Sequence, residues 1–304
     1  MLYFTEDDVR RLLPMNTAIG LMREVFADLK AGRAQNQPRR RLVTPSGVVL
    51  HQLAGATPKY LGTKTYSTSR SGAWFLVTLY SAEDGKPLAM LEANWLGRIR
   101  TGAVTGYATD VMARPDARTA GVIGAGFQAR SQIEALLAVR RLEQVHVWSR
   151  SEERRRALAA EFGEPVEAVA TAEEAVRNAD IVVTATNARE PVLDSAWVKP
   201  GAHVNAIGSN QAKRREIPAD LVHRASLIAT DSLEQARMES GDLLLSLDEQ
   251  GWERVLELQN VEVRPHNPGA ITIFKSNGLG VEDVAAAGYL FEQGIERRLP
   301  LFYS

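Results

Sequence analysis

The spacing of hydrophobic and polar positions changes twice along the chain. Residues 6–32 repeat apolar positions at helical spacing and break near Pro14, which predicts amphipathic helices. Thr5, followed by Glu6, Asp7 and Asp8, reads as the N-cap and acidic first turn of the first helix. From 39 to 82 the pattern shortens to the β-rich runs VVLHQLA, YLGTKTYS and AWFLVTLYS, punctuated by Gly, Pro and Ser. No helical pattern separates them, which predicts antiparallel pairing. Asp84-Gly85 is a hairpin signal, and NWLGRIRTGAVTGYATDVMA reads as a helix with small residues on one face.

After Arg114-Pro115 strands and helices alternate. Strands are expected at 119–123, 144–148, about 166–169, 180–185, 202–207 and 226–230, a late strand at 270–276 and a final helix at 281–298. Such alternation predicts a parallel sheet covered on both faces. Gly124, Gly126 and Ala129 form G-x-G-x-x-A between the first of these strands and its helix. In that position Gly124 permits a tight turn, Gly126 lets a pyrophosphate approach, and Ala129 keeps the helix close to the sheet. The helix N-terminus offers N–H groups to the phosphates. The fold class is therefore α/β: a Rossmann dinucleotide-binding domain at 115–289 and an α+β N-terminal domain at 1–114, the latter joined by the chain from about 290 to 304. No internal repeat or low-complexity linker is present.

The second strand ends in Ser149, Arg150 and Ser151, where NAD sites place an acid for the ribose 2′-OH. A cation flanked by hydroxyls suits a 2′-phosphate, so NADP(H) is expected over NAD(H). Thr184, Ala185 and Thr186 are expected over the cofactor at the end of the fourth strand, and Ile207, Gly208 and Ser209 at the end of the fifth.

Composition narrows the class. The formal net charge is -1, which gives no broad attraction to nucleic acid or anionic membrane. There is no cysteine, so disulfides and thiolate chemistry are excluded, and a cytoplasmic location is expected. No apolar run reaches membrane-spanning length, and the first residues do not read as a signal peptide. Histidines at 51, 146, 203, 223 and 266 show no ligand spacing on one helix face, so no metal site is expected. His51 reads as a strand histidine.

QPRRRL (37–42), LGTKTYS (61–67), LGRIRTGAVTG (96–106), GVIGAGFQA (121–129), VNAIGSNQAKRREI (204–217), ATDSLEQARMESGDL (229–243) and FKSNGLGVEDVAAA (274–287) together resemble the ornithine cyclodeaminase/mu-crystallin family over nearly the whole chain. The resemblance implies a homodimer whose N-terminal domain dimerises and binds an amino or imino acid. It also implies a pocket containing Arg40, Lys64 and Arg100; Arg39 and Arg41 adjoin Arg40, so the register within this triple is open. Guanidinium groups suit a substrate carboxylate, and Lys64 between two cations would have a lowered pKa and could pass a proton to nitrogen. Thr101, Phe127, Gln128, Asp231, Ser276 and Asn277 complete the expected cofactor contacts, Asp231 as a residue that positions a loop.

One position departs from the family pattern. Cyclodeaminases and archaeal alanine dehydrogenases carry Asp where this chain has Asn210, which can hydrogen-bond but cannot take a proton. The expected function is therefore NADPH-dependent reduction of a small cyclic ketimine such as Δ1-pyrroline-2-carboxylate or its six-membered homologue, with Lys64 and Asn210 as the catalytic residues. Alternatives are ornithine cyclodeaminase, an alanine-type amino-acid dehydrogenase, and a dinucleotide- and ligand-binding protein without turnover.

Overall fold

The computed structural model describes residues 1–262 and 267–296. His266 and the expected helical positions beyond 296 lie outside the described residues. The described residues form two compact units, one of 1–103 with 278–296 and one within 104–277.

The first unit is built on a six-stranded sheet ordered β1-β6-β5-β4-β3-β2. Its strands are β1 (Leu2–Phe4), β2 (Gln35–Val43), β3 (Val49–Ala56), β4 (Tyr60–Ser69), β5 (Gly72–Ser81) and β6 (Pro87–Glu92). Strands β2 to β6 pair antiparallel, while β1 joins β6 in parallel. Three residues are too few to show a period, so β1 leaves no trace in the hydrophobic pattern. Thr5 caps helix α1 (Glu6–Leu12): its hydroxyl accepts from the Asp8 N–H, and the Asp8 carboxylate accepts from the Thr5 N–H at 3.1 Å. Helix α2 (Met15–Lys30) follows Pro14 and buries Ile19, Met22, Val25 and Phe26.

Strand alternation gives the two faces of this sheet different characters. Lys64 lies opposite Leu53 and Val77, and Tyr66, on the same face, lies opposite His51 and Phe75. Leu76, Trp74 and Leu42 project from the other face and are exposed. The C-terminal helix, Gly280–Glu296, packs on the Lys64 face. Gly55 makes room for it: a Cβ there would lie 2.4 Å from the Val281 Cα.

The second unit holds an eight-stranded, fully parallel sheet ordered β13-β12-β14-β11-β10-β7-β8-β9. Its strands are β7 (Thr119–Ile123), β8 (Gln144–Trp148), β9 (Val166–Ala168), β10 (Ile181–Thr184), β11 (His203–Ala206), β12 (Leu227–Thr230), β13 (Val255–Glu257) and β14 (Thr272–Lys275). Only the three-residue edge strand β13 is absent from the strands expected. Two apolar cores flank the sheet, one including Ile133, Leu136, Val145 and Leu158, the other Ile217, Leu221, Leu243 and Trp252. This is the α/β, Rossmann-type architecture expected. From β7 the order runs outward through β8 and β9 on one side and through β10 and β11 on the other, which makes the β7–β10 junction the switch point where such sheets bind ligands.

The units divide inside helix α3 (Asn94–Met112), after Ala103, and again at Asn277/Gly278. The sequence reading set these boundaries at 114 and about 290, where the hydrophobic period changes. Contacts explain the difference. The later half of α3 packs with the second unit: the Asn205 amide donates to the Thr109 hydroxyl at 3.0 Å, and Arg140 donates to the carbonyls of Thr109, Asp110 and Ala113. Among the described residues no helix is long and apolar enough to cross a membrane.

Candidate functional site

In the first unit, Lys64 of β4 is fully buried and donates from Nζ to Asp283 Oδ1 at 2.9 Å. Arg100 of α3 donates to the same oxygen from Nε at 3.0 Å, and from Nη1 to Glu282 Oε2 at 2.9 Å. Both carboxylates come from the first turn of the C-terminal helix and are wholly buried. Arg39 of β2 joins them, donating from Nη2 to the Gly278 carbonyl at 3.4 Å. Lys64 and Arg100 thus converge on Glu282 and Asp283, and Arg39 lies near enough to act on the charge of Lys64. Guanidinium groups held in this way suit a carboxylate, which they bind through charge-assisted hydrogen bonds. Asp283 Oδ2 is buried and makes no hydrogen bond among the described residues, so it is a ready acceptor.

Two sequence readings change here. The buried guanidinium is that of Arg39, whereas Arg40 is exposed. Arg40 lies opposite Gln52, whose own partner Thr65 adjoins Lys64, so alternation turns Arg40 to the face away from Lys64. A bulge between Gln37 and Arg40 sets this register. Lys64 does have a lowered pKa, about 8, but the main cause is burial. Arg100 and Arg39 lower it further, and Asp283 opposes them.

Glu282 and Asp283 were missed as site residues. Acids in a helix's first turn ordinarily read as solvated partners of its dipole. The signal against that was their setting among Val281, Val284, Ala286 and Ala287, all four fully buried, with Val281 and Val284 against Gly55 and Gly62. His51 stacks on Tyr66 with centroids 4.2 Å apart, and its Nε2 pairs with the Thr68 hydroxyl at 3.0 Å. Burial, then Arg41 and Arg39, lower its pKa to about 4, so it is neutral at physiological pH. Thr101 lies in the first unit, and its hydroxyl donates back to the Gly97 carbonyl at 2.7 Å.

In the second unit the glycine turn follows β7. Gly124 has φ +123, and a Cβ there would lie 2.4 Å from the Ala185 carbonyl oxygen. Its N–H donates to the Trp148 carbonyl at 2.8 Å, joining the ends of β7 and β8. Gly126 is the N-cap of helix α4 (Phe127–Val139) and provides no capping side chain. A Cβ at Gly126 would meet nothing within 4 Å, so the space before the helix N-terminus is open. Phe127 is exposed, Gln128 is partly buried, and Ala129 is buried against the sheet. This cradle fits a dinucleotide pyrophosphate.

Beyond β8, Arg150 is exposed. The Ser149 hydroxyl donates to the Ser151 carbonyl at 2.9 Å, and the Ser151 hydroxyl caps helix α5 (Glu152–Phe162). Arg155 donates to the Ser149 carbonyl at 3.0 Å and steadies this turn. On the other side of β7, the Thr184 and Thr186 hydroxyls turn inward to Glu216 rather than outward to a ligand. Ser209 is buried and donates to the Arg214 carbonyl at 3.2 Å, while Ala185 is buried, Ile207 and Asn210 are partly buried and Gly208 is exposed. Asp231 accepts from the Asn277 N–H at 2.6 Å and the Ser276 hydroxyl at 3.2 Å. These three residues tie the end of β12 to the turn after β14.

The molecule is thus a protein with a dinucleotide-type sheet in one unit and a buried cluster of charged groups in the other. It belongs to the ornithine cyclodeaminase/mu-crystallin family, whose model matches residues 2–297. The chain is 34% identical to a Δ1-pyrroline-2-carboxylate reductase of Bacillus cereus, with 98% of each chain covered. Among solved structures it resembles Thermococcus litoralis Δ1-pyrroline-2-carboxylate reductase in complex with NADH and L-proline, at TM-score 0.92 and 29% identity, covering 98% of this chain and 99% of that one. It also resembles an archaeal alanine dehydrogenase dimer with bound NAD, at TM-score 0.93 and 29% identity, covering 100% and 99%.

The depressed pKa of Lys64 has a consequence for stability. Between about pH 8 and the ordinary value of 10.5, the unfolded chain binds more protons at this residue than the folded one, so its contribution to stability rises with pH. The unfolding free energy of the wild type relative to Lys64→Met should therefore increase across that window, as read by chemical denaturation at a series of pH values. A difference independent of pH would contradict the assignment.

Proposed function

We propose that this protein reduces the C=N bond of a small cyclic imino acid of the Δ1-pyrroline-2-carboxylate class, giving the cyclic amino acid, with NADPH as the preferred reductant. The observation that carries this reading is the buried cluster of Arg39, Lys64 and Arg100, in which the lysine has a pKa near 8. The family and the named activity of the relatives support it.

In this reading Arg39 and Arg100 take the substrate carboxylate. Arg100 has Nε and Nη1 fixed on Asp283 and Glu282, which locks its plane before substrate arrives. Lys64 holds a proton at Nζ and delivers it to the ring nitrogen. Asp283 keeps Lys64 in place through Oδ1 and offers Oδ2 to the N–H of the product. Asn210 holds no proton at any working pH, so proton transfer rests on Lys64. Imine reduction needs one proton and one hydride, a smaller demand than the deamination and ring closure of a cyclodeaminase.

The first-turn N–H groups of α4 hold the pyrophosphate, and Arg150 with the Ser151 hydroxyl holds the 2′-phosphate. The reduced nicotinamide supplies the hydride when bound. A homodimer belongs to the same reading: Leu42, Trp74 and Leu76 expose apolar side chains on the sheet face opposite Lys64, and the resembling alanine dehydrogenase is a dimer.

The test is turnover of Δ1-pyrroline-2-carboxylate and its six-membered homologue by purified protein with NADPH and with NADH. Turnover is expected, with Arg39→Ala raising KM by about 100-fold and Arg40→Ala changing it by less than about twofold. No turnover of either imine with either reductant would end the proposal. Cofactor choice is read separately. Arg150→Ala should lower kcat/KM for NADPH by about tenfold or more and leave that for NADH nearly unchanged. Equal losses with both would contradict the 2′-phosphate assignment.

A further inference from the structure

Glu216 is wholly buried and receives four hydrogen bonds from two turns. Its Oε1 accepts from the Thr186 N–H and the Thr186 hydroxyl, both at 2.7 Å. Its Oε2 accepts from the Gly208 N–H at 2.6 Å and the Thr184 hydroxyl at 3.1 Å. The turns after β10 and β11 are thereby tied to one carboxylate. They are also in direct contact, since a Cβ on Gly208 would lie 2.1 Å from the Thr186 carbonyl oxygen.

Two further charged groups extend the tie. Asp242 Oδ1 accepts from the backbone N–H groups of Glu216 and Ile217 at 2.6 and 3.1 Å, and its Oδ2 pairs with Lys275 Nζ at 3.1 Å. Lys275, at the end of β14, also donates to the carbonyls of Ser209 and Ala206 at 2.5 and 3.3 Å. Asp242 and Lys275 are wholly buried, as is Glu216. The ends of three adjacent strands, β10, β11 and β14, are therefore cross-linked by three charged side chains.

The placement says what the network serves. The adenine end of a dinucleotide lies toward β8, where Arg150 stands, so the other end crosses the switch point toward β10 and β11. We propose that Glu216, supported by Asp242 and Lys275, is the positioning residue for the nicotinamide half of the dinucleotide. It acts through the Thr184–Thr186 and Ala206–Ser209 turns and touches no ligand itself. An apolar residue at 216 would leave the Gly208 and Thr186 N–H groups without acceptors, and the two turns would be free to drift. The proposal rests on the dinucleotide reading of this unit.

Glu216→Gln tests it, because the amide keeps the shape but turns a donor toward groups that themselves donate. Binding is measured by titration calorimetry with NADPH and NADH, and with adenosine 2′,5′-bisphosphate and AMP, which carry the adenine half alone. Glu216→Gln should weaken the whole dinucleotide by about tenfold or more and leave its adenine fragment unchanged. Equal losses for dinucleotide and fragment, or no loss for either, would overturn the proposal. Absence of binding to all four by the unsubstituted protein would instead overturn the dinucleotide reading, and this proposal with it. Should Glu216→Gln fail to fold, Thr184→Val removes one donated bond and should show the same selective loss in weaker form; an unselective loss there would also overturn the proposal.

Discussion

A lysine, two arginines and two carboxylates buried in one place are the constraint on which the rest of the first unit depends. Charges of this kind are stable in a protein interior only when each meets a partner. The partners here come from both ends of the chain: Lys64 and Arg39 from the early strands, Arg100 from α3, and Glu282 and Asp283 from the helix that closes the sequence. That is why the C-terminal helix lies on the Lys64 face and why Gly55 and Gly62 stand beneath it, where side chains would hold the helix off.

The second unit solves a different problem with the same economy. Its glycine turn gives helix α4 no capping side chain and leaves the space before its N-terminus open, a setting that suits an external anion. The turns on the other side of the switch point are held from behind by Glu216, Asp242 and Lys275. Polar groups that look from sequence like ligand contacts, such as the Thr184 hydroxyl, are spent on this internal frame. The backbone, rather than those side chains, is what the frame presents.

Local pattern carried most of the fold. The βαβ alternation after residue 115 and the glycine turn are signals written within a few tens of residues, and the strands appeared where the pattern put them. β1 and β13 were too short for any period. The choice among Arg39, Arg40 and Arg41 was not legible, because a bulge at Gln37–Arg40 decides which face each residue takes. Asp283 and Glu216 were not legible as partners either: Asp283 lies 219 positions from Lys64, and nothing local marks such a pairing. The lowered pKa of Lys64 was read correctly in direction and wrongly in cause, since burial, which is a tertiary property, outweighs the neighbouring cations.

The central claim is that the buried cluster is completed by one carboxylate. Comparing the affinity of the free protein for pyrrole-2-carboxylate and for the neutral pyrrole-2-carboxamide, of nearly the same shape, tests it most directly. The account predicts that the carboxylate binds and that the amide binds about 100-fold or more weakly. Equal affinity for the two would show that the buried cations do not select the ligand, and would contradict the account.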